Sequence, residues 1–202
     1  MKVLVACEFS GAVRDAFRAL GHDAWSCDLL PSETEGLHIQ DDVLNRLTWT
    51  HWDLLVAHPP CTFLANSGVR WLYGGKGTTP DPVRWEKMKA GAEFFKALLD
   101  APIERVAVEN PIMHRYAREI VGRGHDQTIQ PWQFGHGETK ATCLWLKGLP
   151  KLVPTKIVDG RQPRVHFASP GPDRWKERSR TMTGIAEAMA AQWGGRVETK
   201  AA

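Results

Sequence analysis

No hydrophobic run in this chain is long enough to cross a bilayer, and the N-terminus lacks the pattern of a secretion signal. Both absences point to a cytoplasmic protein with no membrane partner. Close cysteine pairs are missing too. Cys7, Cys27, Cys61 and Cys143 are scattered, without the paired spacing of a metal site. Cys7 and Cys27 fall on what read as neighbouring strands, and two reduced core thiols are the expectation there. His22, His51, His114, His125 and His136 show no metal-ligand spacing, so they read as surface or core residues and no metal is expected. Strong charge of one sign is also lacking. At a net +3, overall charge alone does not announce a nucleic-acid partner. No internal repeat is visible. The 202 residues suffice for one domain, 1–202, with a substantial core.

What is present gathers around the stretch from Asp53 to Cys61, DLLVAHPPC. An apolar run behind an acid reads as a buried strand. It stops at Pro59 and Pro60, which cannot donate ladder hydrogen bonds. Cys61 then sits just past a strand end, where open α/β sheets bind ligands. A thiol there is either a nucleophile or a small buried hydrophobe.

Upstream, residues 2–7 read as a first strand and Glu8 to Gly11 as a tight turn. Residues 12–20 read as a helix with Val13, Ala16, Phe17 and Leu20 on one face, closed by Gly21. Residues 23–27 read as a second strand ending at Asp28. This strand-turn-helix-strand-acid unit is how α/β proteins hold an adenosine: backbone passes close at Gly11, a helix N-terminus faces the ligand, and the acid takes ribose hydroxyls. The spaced glycines of a dinucleotide fingerprint are absent. A weak third strand, 37–40, ends at Asp41 and Asp42.

Beyond Cys61, the glycine-bearing stretch 62–82 reads as a mobile lid, in which Arg70 and Lys76 are either phosphate contacts or solvated charges. A helix is expected over 84–99. A strand over 106–108 follows and ends at Glu109 and Asn110, so a second strand delivers an acid to the edge that presents Cys61. A strand over 141–146 and a closing helix over 183–193 complete the pattern. Between them, 147–180 is rich in proline and holds nine Lys or Arg against Asp159, Asp173 and Glu177, a net +6 that leaves −3 elsewhere.

Together these motifs resemble the cytosine-C5 DNA methyltransferases that depend on S-adenosylmethionine. Phe9-Ser10-Gly11 resembles the first motif, with Val13 in place of its second glycine. Asp28 falls on the ribose-binding acid, and Asp42-Val43 resembles the pair that meets adenine. Pro59-Pro60-Cys61 matches the nucleophile motif. Glu109-Asn110 matches the start of Glu-Asn-Val, with Pro111 for valine. The closing helix resembles the last motif, beside the cofactor.

The resemblance implies a Rossmann-like class I fold: α/β, doubly wound, mainly parallel, with an antiparallel strand near 141–146. It implies S-adenosylmethionine held by Phe9, Ser10, Gly11, Asp28, Asp42 and Pro59. It makes Cys61 the nucleophile and Glu109 the acid at ring N3. Pro60 and Asn110 would contact substrate. The family's Gln-x-Arg-x-Arg has no clean copy, and Lys140 stands nearest its first arginine, to neutralise charge at O2. The family's large target-recognition region is missing, and the basic segment occupies its place. Arg174, Lys176 and Arg178 are its candidate DNA contacts, with short or relaxed sequence preference.

The residue types suit the chemistry. Thiolate addition at C6 makes C5 nucleophilic, and a carboxyl whose pKa is raised by burial can supply the proton that N3 needs. His58 would either lower the thiol pKa or simply pack. The alternatives are C5 methylation of RNA or of a free cytidine nucleotide, an amino methyltransferase, and an inactive nucleic-acid-binding relic. Amino methyltransferases place an acid or amide before Pro-Pro and an aromatic after it, which His58 and Cys61 fit poorly.

Overall fold

The computed structural model describes residues 1–74, 77–164, 167, 169, 171 and 174–195, with only the backbone of Glu177. Lys76 lies outside the described residues.

Short apolar stretches form the middle of one sheet. Strand β1 (Lys2–Ala6), β2 (Asp23–Asp28), β3 (His38–Gln40), β4 (Leu54–Ala57) and β5 (Val106–Asn110) run parallel. Strand β7 (Thr142–Lys147) runs antiparallel to β5 and to β6 (Gln127–Ile129). The order across the sheet is β3, β2, β1, β4, β5, β7, β6. This is the doubly wound, Rossmann-like class I topology that the motifs imply, including the antiparallel strand. Its order reverses between β1 and β4, so the crevice at their carboxyl ends is the switch point.

Burial on both faces explains why β4 reads LLVA without alternation. Leu4, Leu55, Val106 and Trp145 face one side, with Met88, Ala92 and Phe95 of helix α2 (Pro82–Leu99) and Ala117 of α3 (Arg115–Val121). Val3, Val5, Leu54 and Val56 face the other, with Phe17 of α1 (Ala12–Ala19) and Ile185 and Met189 of the closing helix. Helix α2 starts two residues before the expected position, because Asp81 accepts from the Arg84 N–H at 3.1 Å and Pro82 fits the first turn.

Two stretches hold short helices. Residues 66–73, expected within a mobile lid, form a 3-10 helix (Asn66–Tyr73) with Leu72 buried. Its ends are tied by Asn66 N–H to the Ile112 carbonyl at 2.7 Å and Asp81 N–H to the Leu72 carbonyl at 2.8 Å. The basic segment also contains order: helix α4 (Arg174–Ser179) precedes α5 (Thr183–Met189), which continues as a π turn (Ala190–Gly194).

Arg14 is a charged residue with no exposed surface. Its guanidinium binds Asp15 (2.8 and 3.2 Å), Ser26 Oγ (3.1 Å), Ser32 Oγ (3.2 Å), Thr34 Oγ1 (2.6 Å) and the Glu35 carbonyl (2.9 Å). Every N–H of the fork is used, and the loop between β2 and β3 is fixed to α1. Replacing it leaves several acceptors without a charged donor. Arg14→Met is expected to cost roughly 2–4 kcal/mol, measured as the shift of the urea unfolding midpoint with the slope unchanged.

Candidate active site

The first loop is built on strain and a cap. Cys7, the residue after β1, has φ 57°, rare for a side chain with Cβ, and Gly11 has φ 74°. A Cβ at Gly11 would overlap the Thr34 hydroxyl and the Arg14 guanidinium. Gly11 offers no cap to α1, so Glu8 supplies one. Its carboxylate accepts from Val13 N–H at 2.6 Å and Arg14 N–H at 3.1 Å. Ser10 Oγ accepts from Ala12 N–H at 3.4 Å. The helix amides expected to face a ligand are therefore already taken.

Beside this loop lies a cavity of about 310 Å³. Leu29, Val43, Phe63, Leu64 and Phe94 give it apolar walls, and Asp28, Asp41 and Asp42 line it with carboxylates. Asp28 ends β2, accepts from Leu30 N–H at 2.9 Å, and has its pKa raised by burial. Asp42 accepts from Leu44 N–H at 3.0 Å, which starts a 3-10 turn and fixes the carboxylate. Asp41 pairs with Arg46, and the Asp42 backbone N–H with that arginine holds its carboxyl low. An apolar slot edged by acids fits an adenosine, whose flat base is buried and whose hydroxyls donate.

Of the residues expected at the cofactor, Asp28 and Asp42 line this cavity, whereas Phe9, Ser10, Gly11 and Pro59 do not. Phe9 is buried, with its ring 5.7 Å from that of Trp175. Pro60, expected against substrate, lines the cavity instead. Leu29, Phe63 and Phe94 went unread. Leu29 carried a usable signal: a large apolar residue directly after the β2 acid, 71% exposed.

The second part of the site sits past β4 and β5. Ala57 and Val108 are register partners, so His58 and Glu109 emerge side by side. His58 Nδ1 lies 3.3 Å from Glu109 Oε2. Asn110 is fully buried, and its amide donates to the Pro59 carbonyl at 3.4 Å. This bond holds the proline turn. Leu64 and Ala65 N–H both donate to the Cys61 carbonyl at 3.0 Å, closing the turn behind the thiol. The Lys140 ammonium donates to the Arg178 carbonyl at 2.8 Å, which ties the loop before β7 to α4. Arg180 pairs with Glu33 at 2.8 Å. Arg174 and Lys176 lie on α4, with the Lys176 ammonium 5.7 Å from the Trp175 ring. Arg70 is exposed and lies over the Trp71 ring at 5.0 Å.

Charge couples these groups. Burial and then the Glu109 carboxylate push the Cys61 thiol above its ordinary pKa, against the opposing pull of Lys140 and Arg178. Burial would raise Glu109 as well, but the His58 hydrogen bond and the Lys140 charge bring it below the usual carboxylate range. The expected rise of the Glu109 pKa by burial is thus outweighed by its two neighbours. Cys7 and Cys27, which line the cavity, are raised by burial first, Cys27 to about 11. Among the described residues no cluster of His, Cys, Asp or Glu could hold a metal, and no helix is long and apolar enough to cross a membrane.

No family model and no curated protein matches the chain. Among solved structures, the chain is similar to an Escherichia coli prophage protein assigned as a DNA modification methyltransferase, at 14% identity and TM-score 0.46 over 79% of this chain. It is also similar to a methyltransferase of Entamoeba histolytica, at 12% identity and TM-score 0.48 over 78%. The chain spans 52% and 57% of those two proteins' lengths.

The electrostatics predict opposite effects of two substitutions. Lys140→Ala removes a cation and should move alkylation of Cys61 to higher pH. Glu109→Gln removes the anion and should move it to lower pH. Peptide-resolved iodoacetamide labelling across pH reads both. Equal midpoints in the two variants would show that neither group acts on the thiol.

Proposed function

We propose that this protein is an S-adenosylmethionine-dependent methyltransferase acting on C5 of cytosine in DNA, through a covalent bond between Cys61 Sγ and ring C6. The observation that carries the reading is a thiol and a carboxylate at the ends of neighbouring parallel strands, beside an acid-edged apolar cavity.

Asp28 would accept from ribose hydroxyls, Asp42 and Val43 would meet the adenine edge, and Leu29 and Phe94 would cover its faces. Bound there, the cofactor supplies an electrophilic methyl group. Cys61 attacks C6 as the thiolate, because cysteine is strongly nucleophilic once ionised. Addition at C6 gives an enamine that is nucleophilic at C5. Glu109 serves N3, and Lys140 neutralises charge developing at O2. Loss of the C5 proton then lets the thiolate leave. In a duplex the base must first be flipped out of the stack.

The basic segment supports a DNA substrate. Its charges lie between the strand after Lys140 and the returning helix, and Arg178 is close enough to influence the thiol. Phosphate contacts position a protein without reading sequence, so a short or relaxed target preference follows.

Two outcomes test the reading. Cys61→Ala should lose methyl transfer while binding the cofactor normally, and 5-fluorocytosine DNA should trap the wild type covalently. Mass spectrometry of nucleosides after incubation with methyl-labelled cofactor identifies the acceptor among DNA, RNA and nucleotide pools. Full activity in Cys61→Ala would end the C5 reading, and methylation of free cytidine nucleotides alone would move the function to the nucleotide pool.

The triple change of Arg174, Lys176 and Arg178 to Ala should flatten the salt dependence of duplex binding. Each lost phosphate contact lowers the slope by ~0.9. The preferred sequence context should stay the same. A slope unchanged from wild type would remove α4 from the DNA interface.

A further inference from the structure

The C5 reaction requires a proton at N3, yet His58 and Lys140 pull the Glu109 carboxyl below its ordinary pKa. The group beside it is a second titratable side chain. His58 Nδ1 and Glu109 Oε2 are 3.3 Å apart, with side chains only 7% and 15% exposed. The other ring nitrogen, His58 Nε2, is buried without a hydrogen-bond partner among the described residues. Backbone placement is firm, because His58 N–H donates to the Ala6 carbonyl at 2.9 Å. Two further charged groups couple to this pair. Glu8, in the turn after β1, interacts with His58, and Lys140, before β7, acts on Glu109 in β5.

We propose that His58 is a positioning residue that holds Glu109 Oε2 and passes a proton through it to N3 of the target cytosine. The proposal rests on the C5 reading above. Histidine suits the task because its ordinary titration range lies near neutral pH, so it can carry and release a proton within one turnover.

The step balances. Cys61 enters as the thiolate, its proton having gone to solvent. The S–C6 bond forms, the C5–C6 π pair becomes a C4–C5 π bond, and the C4–N3 π pair moves onto N3. Glu109 takes the proton of His58 Nδ1, and N3 takes that proton from the Glu109 carboxyl. The C4–C5 pair would then bond the methyl group, whose bond to the cofactor sulfur breaks to leave a neutral thioether; the C5 proton leaves to water and the S–C6 bond breaks. N3 then returns its proton to Glu109, and His58 regains its charge. No further reactant is needed.

His58→Asn tests this, since the asparagine amide donates from nearly the Nδ1 position but carries no exchangeable charge. The single-turnover rate of methyl transfer should fall by ~10²-fold, the size typical of general acid catalysis. Cofactor and DNA affinities should stay within about twofold of wild type. The wild-type rate should also decline on the alkaline side, as the imidazolium is lost, and His58→Asn should lack that decline. His58→Gln, nearer in length to the imidazole, should behave likewise. A variant that keeps the wild-type rate, or keeps the alkaline decline, overturns the proposal.

Carbon-13 NMR of the Glu109 carboxyl reads the pair without turnover, in the full chain. Its midpoint should rise in His58→Asn, and an unchanged midpoint overturns the pairing whatever the substrate. If wild type methylates an atom other than cytosine C5, the N3 step falls with that reading, while the midpoint still reports the pair.

Discussion

The parallel pairing of β1, β4 and β5 is the constraint on which every functional placement depends. Val3 to Ala6 and Leu54 to Ala57 have no exposed surface, and the two strands are locked in register from Val3 against Leu54 to Ala6 against Ala57. A slip of one residue would exchange the two faces of a strand that is buried on both. The strand ends are therefore fixed relative to one another, and so are the turns that follow them. The Glu8–Gly11 turn, the proline turn and Glu109 share one edge for this reason. Asn110 adds a clamp from β5 to the Pro59 carbonyl. The reactive groups stand on rigid elements, which is what precise chemistry asks of a scaffold.

Four titratable groups crowd this edge: Glu8, His58, Glu109 and Lys140. The resting thiol of Cys61 is held protonated by burial and by the neighbouring carboxylate. Oxidation and adventitious alkylation both require the thiolate. The same arrangement that delays ionisation thus protects the thiol until other charges enter the site.

Much of this was legible in the sequence because the signals were local. DLLVAHPPC and VAVEN are apolar runs that end in punctuation, and both were read as strands delivering reactive groups to one edge. The short elements were not legible. Strand β6 has three residues, and α3 has seven, begun by a His114 cap and closed by Gly122 rather than by any long periodicity. Stretch 62–82 looked loose because its glycines suggested mobility, yet the backbone bonds that order residues 66–73 come from residues 81 and 112. Arg14 is silent in sequence, since its burial depends on five partner residues, four of them in the loop after β2 or on β2 itself. The lowered pKa of Glu109 escapes the sequence for a related reason. Burial was foreseeable, but its contest with His58 and Lys140 depends on distances across two strands and a loop.

The cap that Glu8 places on α1 has a consequence for discrimination among nucleotides. In phosphate-binding α/β proteins the first helix offers free amides, and its positive end welcomes an anion. Here the Val13 and Arg14 amides are committed to a carboxylate, and three more carboxylates border the neighbouring cavity. A dinucleotide or nucleoside triphosphate arriving there would meet repulsion where it needs donors. A nucleoside bearing a cationic sulfur would meet the opposite. On the function proposed above, this turn would select its cofactor by excluding the abundant anionic ones.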